Sequence, residues 1–430
     1  MMNTRLHVFG QMIVKDRLLY RMACVFGEEN MKGKQRVLLV HNYYKIPGGE
    51  ETVVENEKRL LEEHGHFVCL YTRNNKEMDG FSAWRKLLLP LTSLFSLRTY
   101  RDVKKLIREN EIDIVHVHNT LTLVSPSVYY AAFACGKPVV QTVHNFRLLC
   151  PAAIFLRDGE VCEDCVAGGL GCAIRHKCYR NSRLQSLVSA GILALHRFLG
   201  TYRRLFYICL TDFNREKLLL LNQGGKRKRI DPERVFVKPN FVNSTSSQLR
   251  NEVLRKDQYL YVGRLERLKG IHILLDAWKA FPEKKLVICG NGPEEEWARS
   301  YIHVNHLTGV ELLGMRPHEE VLRLMSESRA LILPTMWYEG QPMVILESYA
   351  AGTPVIASDI GNTGNMVEPG VTGLRFASGN VESLRQAVAR MDRESGWDTR
   401  TTYERKYTWE NNYELLRQIY MRARLAVEGK

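Results

Sequence analysis

Nowhere do the 430 residues approach the roughly 18 consecutive apolar residues that a bilayer-spanning helix requires. The most apolar runs, 87–95 and 187–195, are too short. The first thirty residues carry Arg17, Arg21 and Glu28 and offer no unbroken apolar core before a cleavage site. A membrane span and a secretory leader are therefore not expected, and a cytosolic chain is. Low-complexity tracts and short internal repeats are missing as well. With 45% hydrophobic, 25% charged and 9% aromatic residues, the composition excludes wholesale disorder and collagen-like repetition. Acidic residues are scarce in two segments only. Residues 171–230 carry thirteen basic and two acidic side chains, and 81–108 carry seven and one, so these segments hold more than the whole net charge of +14. Charge concentrated in this way points to a polyanion or an anionic membrane surface as partner.

What is present alternates. From Arg36 the chain reads as a strand (37–41), a glycine turn at Pro47, Gly48 and Gly49, an amphipathic helix (52–64) and a second strand (67–71). Short apolar runs recur at 114–118 and 139–143, and a second series occupies 259–262, 286–289, 310–313, 330–333 and 354–357. Two doubly wound α/β units follow from this, joined near 230–247, with ligands expected in the crevice at the carboxyl ends of the strands. The chain divides into an extension (1–30, with translation expected to start near Met31), a first unit (31–235), a second unit (236–404) and a C-terminal helix (405–430) that returns to the first.

The second unit opens with Tyr261-Val262-Gly263-Arg264-Leu265-Glu266-Arg267-Leu268-Lys269-Gly270. A glycine turn at a helix entrance with two cations five residues apart can hold a phosphate. Glu339 and Glu347 stand eight positions apart, flanking Pro342, which suits a first helical position. The neighbours of Glu347 are apolar, so a buried carboxylate there needs a partner such as a pair of sugar hydroxyls. His116 and His118 share a strand face and read as cleft-lining or core side chains.

These elements, with Gly290-Asn291-Gly292-Pro293, Gly48-Gly49-Glu50 and Gly352-Thr353-Pro354-Val355-Ile356-Ala357, resemble the family 4 glycosyltransferases over about 36–420. The resemblance implies a GT-B fold, two Rossmann-like domains facing each other across a cleft, and retaining transfer from a nucleotide-sugar donor. It assigns Glu347 to the ribose hydroxyls, Glu339 to the donor sugar, Arg264 and Lys269 to the diphosphate, Gly48 and Gly49 to a closing loop, and His144 to the active site beside the transferred sugar. No Asp-x-Asp pair is present, so metal-independent catalysis is expected, with protein cations neutralising the leaving group. Two segments depart from the family pattern. Pro239-Asn240-Phe241-Val242-Asn243 replaces Pro-Asn-Gly followed by an acid, and Gly361-Asn362-Thr363-Gly364-Asn365 replaces a Gly-Gly, Pro-Glu loop.

Cys150, Cys162, Cys165, Cys172 and Cys178 crowd a glycine-rich insert (150–178). In a reducing compartment this suggests a structural zinc held by four of the five, ahead of an iron-sulfur cluster or plain buried or free thiols. Some family members resemble it in carrying an insertion here, beside the acceptor pocket. Residues 184–205 then read as a basic amphipathic helix, with Leu187, Ile192, Leu195, Phe198 and Leu199 beside Arg183, Arg197, Arg203 and Arg204. Together with Trp84, Arg85 and Lys86 it suggests docking on the inner face of an anionic membrane and a lipid-linked glycan acceptor in envelope polysaccharide or lipopolysaccharide synthesis. The alternatives are a soluble transferase making a small glycoside or sugar phosphate and, from Lys226-Arg227-Lys228-Arg229 alone, a nucleic-acid binder. No nucleic-acid reading motif accompanies that run, and no nucleic-acid partner is expected.

Overall fold

The computed structural model describes residues 33–45, 48–223, 228–242 and 255–429. The expected start near Met31 and the basic pair Lys226-Arg227 lie outside them. The first sheet contains β1 (Arg36–Tyr43), β2 (Phe67–Asn74), β3 (Ile114–Val117), β4 (Val139–Val143), β7 (Phe206–Cys209) and β8 (Val235–Val237), in the order β2-β1-β3-β4-β7-β8. A small hairpin, β5 (Leu156–Arg157) with β6 (Glu160–Val161), sits in the insert. The second sheet contains β9 (Gln258–Val262), β10 (Lys285–Cys289), β11 (Val310–Gly314), β12 (Ala330–Leu333), β13 (Val355–Ser358) and β14 (Gly373–Phe376), in the order β11-β10-β9-β12-β13-β14. Every pairing in both six-stranded sheets is parallel. A parallel strand is covered on both faces, which is why its residues are apolar without alternation: Val37 to Val40 and Leu331 to Ile332 are fully buried.

Helix α1 (Gly49–Glu63) begins three residues earlier than the apolar spacing suggests, because the Glu51 carboxylate turns back to accept from the Gly48 N-H at 2.7 Å and the Tyr44 N-H at 3.2 Å. Short helices α2 (Ala83–Leu87) and α3 (Leu89–Leu94) precede α4 (Leu97–Glu109). The basic helix α5 (Arg183–Phe198) ends seven residues short of the expected span. Gly200, at φ +68°, takes the left-handed conformation that closes a helix. Its Ile192 turns into the core, whereas Leu187, Leu195 and Phe198 face outward.

Helices α6 (His318–Glu327) and α7 (Met343–Ala350) belong to the second unit, and the last helix, α8 (Trp409–Glu428), leaves it and packs Leu416, Ile419, Tyr420 and Ala423 against Val37, Leu39 and Ile114 of the first. The crossing between units is pinned to the same helix. Phe241 is buried against Trp409, with ring centroids 5.2 Å apart, and Asn412 takes a hydrogen bond from Lys238 Nζ at 2.9 Å. The apolar side chain at 241, where the family pattern has glycine, thus anchors the crossing.

Candidate active site

The two sheets face each other across a cavity of about 360 Å³. Gly49, Glu50 and His144 line it from the first unit, and Gly263, Lys269 and Glu339 from the second. Two backbone contacts bring these walls together. A Cβ on Gly340 would lie 2.3 Å from the carbonyl oxygen of His144, so only glycine lets the loop after β12 reach the end of β4. One on Gly290 would lie 2.0 Å from the Gly263 carbonyl oxygen, which is why the turn after β10 must be glycine for β9 to present its phosphate-type turn.

Glu339 is the most heavily engaged acid in the cavity. Its Oε1 accepts from Lys269 Nζ at 2.5 Å, Trp337 Nε1 at 3.0 Å and Thr335 Oγ1 at 3.2 Å, which fixes the carboxylate before any ligand arrives. Lys269 therefore enters the cavity as expected, already paired. Arg264 does not line it. That side chain is half-exposed at the rim and pairs with Glu266 at 2.6 Å. Glu347 does not line the cavity either. It lies on α7, whose first residues Met343 and Val344 do, and Pro342 precedes that helix as its cap, not as its first helical residue. Among the described residues the Glu347 carboxylate has no hydrogen-bonding or ion-pair partner. Burial raises its carboxyl above the ordinary range, with His318 of α6 opposing. Gly49 approaches α7 closely, a Cβ there falling 3.9 Å from Met343, whereas Gly48 stands outside the cavity and caps α1.

Three site features escaped the sequence. Asn362, in the loop that departs from the family pattern, is fully buried and donates to the Glu339 carbonyl at 2.7 Å and to Asn214 of the first unit at 2.6 Å. Asn214 in turn donates to the Gly340 carbonyl at 3.1 Å, so two asparagines clamp the Glu339 loop to the opposite unit. Gln341 accepts from the Asn240 N-H of the crossing at 2.7 Å. Glu50 lines the cavity with its carboxyl pushed up to about 8 by burial and by the neighbouring Glu51 charge. Only the position of Glu50 next to the glycine pair could have hinted at this.

The insert contacts both units. Its Glu163 pairs with Lys217 at 2.5 Å and accepts from Tyr338 of the second unit at 3.2 Å, beside an aromatic group of Phe146, Phe155 and Phe213. Cys150, Cys162, Cys165, Cys172 and Cys178 are free thiols, and no three of their sulfurs come within 4.8 Å of one another. Zinc would need its sulfur ligands at about 2.3 Å from the ion, hence roughly 4 Å apart, so the expected ligand set is not assembled here. Among the described residues the one group with that proximity is Glu57, His116 and His118, and the ammonium of Lys238, 2.7 Å from Glu57, already supplies a cation there.

Residues 47–245 match the family model Glycosyltransferase Family 4, and 245–406 match Glycosyl transferases group 1. The chain belongs to glycosyltransferase family 4. This family 4 chain is 36% identical over 136 residues to glycogen synthase of Mycobacterium tuberculosis, a match covering 30% of the chain and 33% of the relative's length. It is 23% identical over 358 residues to alpha-monoglucosyldiacylglycerol synthase of Streptococcus pneumoniae, covering 79% and 74%. The crystal structure of Anabaena HepE in complex with UDP-glucose superposes with a TM-score of 0.58 at 17% identity, over 90% of this chain and 99% of that one. The fold is therefore GT-B.

Burial of Glu50 predicts a pH effect whose sign is fixed. The folded chain keeps a proton up to about pH 8 that the unfolded carboxyl releases near pH 4.5, so this group costs stability progressively as pH rises through that window. Glu50→Gln should melt above the parent at pH 9, with the advantage shrinking toward pH 5, as read by thermal denaturation across pH.

Proposed function

We propose that this chain is a retaining glycosyltransferase that moves a sugar from a nucleotide-sugar donor to an anionic, lipid-linked glycan acceptor in envelope polysaccharide synthesis. The observation that carries it is the pre-set Glu339–Lys269 pair facing His144 across the interdomain cavity. In this reading the diphosphate displaces Glu339 from Lys269, Glu347 takes the ribose hydroxyls its buried carboxylate lacks, and Arg264 swings from Glu266 at the rim. Transfer is metal-independent and front-faced. The acceptor hydroxyl oxygen bonds to the anomeric carbon as the bond from that carbon to the phosphate oxygen breaks, and the hydroxyl proton passes to the departing phosphate oxygen. The protein's part is positioning and charge stabilisation.

On the acceptor side, Trp84 is 75% and Phe198 87% exposed, and α5 lies against α3, with His196 Nε2 3.3 Å from the Leu94 carbonyl oxygen. Arg85, Lys86, Arg183, Arg203 and Arg204 are exposed on these elements and the turn after α5. Apolar tips ringed by arginine suit an anionic leaflet, each engaged cation contributing about 1 kcal/mol. No described helix is long and apolar enough to cross a membrane. A cavity of about 690 Å³ between the insert and α5 carries Leu170, Leu220, Phe198, Arg197 and Arg229, a mixed lining that fits an acyl or prenyl chain ending in phosphate. The peripheral placement on the cytoplasmic face rests on this patch. A structural zinc on four of the insert's cysteines belongs to the same reading, and rotation of the thiols would have to close the present gaps.

A nucleotide-sugar screen by thermal shift identifies the donor. With that donor, Arg264→Ala, Lys269→Ala and Glu347→Ala should each lower kcat about a hundredfold, and near-normal turnover by a folded variant would overturn the assignment. Trp84→Glu with Phe198→Glu should abolish salt-sensitive sedimentation with phosphatidylglycerol vesicles that the parent shows. Metal analysis of anaerobically purified protein should return stoichiometric zinc, and finding neither zinc nor iron removes the metal from the proposal.

A further inference from the structure

Behind His144 the first unit buries an uninterrupted line of titratable groups that the transfer chemistry does not use. His118 Nδ1 lies 2.9 Å from His144 Nε2, and its Nε2 lies 3.0 Å from Oε2 of Glu57. The other oxygen of Glu57 is 2.7 Å from Lys238 Nζ, and both side chains of this ion pair are buried. His116 stands 3.5 Å from Glu57 but turns its ring nitrogens to Tyr420 and Thr142, at 2.7 Å each, so it is spoken for. His41 is a further buried neighbour of His118, with ring centroids 6.4 Å apart.

The separations dictate where protons sit. His118 Nε2 and Glu57 Oε2, 3.0 Å apart, are both buried and not aligned as a hydrogen bond; hydrogen on Nε2 is the arrangement that avoids a clash of lone pairs there and that gives the carboxylate a donor after a small turn of the ring. Lys238 already balances the Glu57 charge, so one bridging proton between the two imidazoles satisfies the line without a second buried positive charge. His118 Nδ1 is then an acceptor, and the proton between the rings belongs to His144 Nε2. We propose that Glu57 and His118 are positioning residues that hold His144 in the tautomer protonated on Nε2, leaving its Nδ1 as an acceptor for a hydroxyl of a sugar in the interdomain cavity.

Two further observations agree. His144 Nδ1 has no partner among the described residues, and His144 is one of the residues lining the cavity. Burial, reinforced by the neighbouring His118, pushes the His144 imidazole well below its ordinary pKa, which keeps it neutral so that one nitrogen can accept. The carboxylate, imidazole, imidazole order follows the way a buried acid fixes a neighbouring ring's tautomer. The remaining oxygen of Glu57 holds Lys238 immediately before the crossing between the two units, so the same carboxylate that orients His144 also holds the start of the crossing. The proposal rests on the placement of the active site at His144, and its test separates the two.

The full-length chain labelled with 15N-histidine reports the tautomer without any substrate. The wild-type spectrum should show His144 as a single neutral form with Nε2 protonated and Nδ1 bare. His118→Phe, which keeps a flat ring beside His144, should release it to a mixture of tautomers and lower kcat about tenfold, with the donor KM within about twofold. Glu57→Gln combined with Lys238→Met, which removes the buried pair together, should move both readouts the same way. A wild-type His144 protonated on Nδ1, or a tautomer unchanged in both variants, overturns the proposal, and the wild-type spectrum decides even if a variant fails to fold. A chain that shows the expected tautomer but turns over no nucleotide sugar would instead sink the transferase reading and leave the positioning role intact.

Discussion

The carboxylate of Glu57 is the point on which the first unit and its attachments converge. It is completely buried, where a lone negative charge is untenable. Burial alone would raise it, but Lys238, His116 and His118 outweigh that effect and hold the carboxyl well below its ordinary range. The elements that satisfy it come from distant parts of the sequence: β3 and the residue after it supply His116 and His118, the end of the first sheet supplies Lys238, and α8 supplies an amide oxygen that accepts from the ammonium. Removing one partner would strand the others, so helix α1, the crossing and the C-terminal helix are obliged to stay together.

From that anchor the cleft acquires its shape. With the crossing fixed by Phe241 under Trp409, the loop after β12 is brought against β4, where Gly340 touches the His144 carbonyl and the asparagine pair Asn214 and Asn362 clamps it. The acid Glu339 is consequently paired with protein donors on one oxygen. It is held by an indole, a hydroxyl and an ammonium in a largely buried position, where electrostatic contacts are stronger than at a surface. Helix α5 leaves Leu187, Leu195 and Phe198 outside because the core takes only its Ser186, Ile192 and Leu193 face.

Nine of the twelve sheet strands are legible as apolar runs, whereas β7, β8 and β14 are not: Phe206–Cys209 and Val235–Val237 are short and sit inside or beside the most basic stretch of the chain, and Gly373–Phe376 is interrupted by Arg375. Gly263, Lys269 and Glu339, which line the cavity, stand in a glycine turn and at a helix entrance that spacing makes readable, whereas the same spacing placed Glu347 beside them and the fold leaves it outside the lining. Asn362 was not readable, because an asparagine in an altered loop carries no pattern, and its value comes wholly from the two carbonyl and amide partners that the fold puts beside it.

Two parallel sheets and the glycines and acids at the ends of their strands could be read along the chain, because local spacing and burial are encoded within a few residues of one another. That His118 and Glu57 stand behind His144, and that Lys269 is held by Glu339 while Arg264 is half-exposed and paired with Glu266, became visible only in the folded chain. Those outcomes depend on side-chain direction and on contacts between segments tens to hundreds of residues apart, and no periodicity along the chain records such distances.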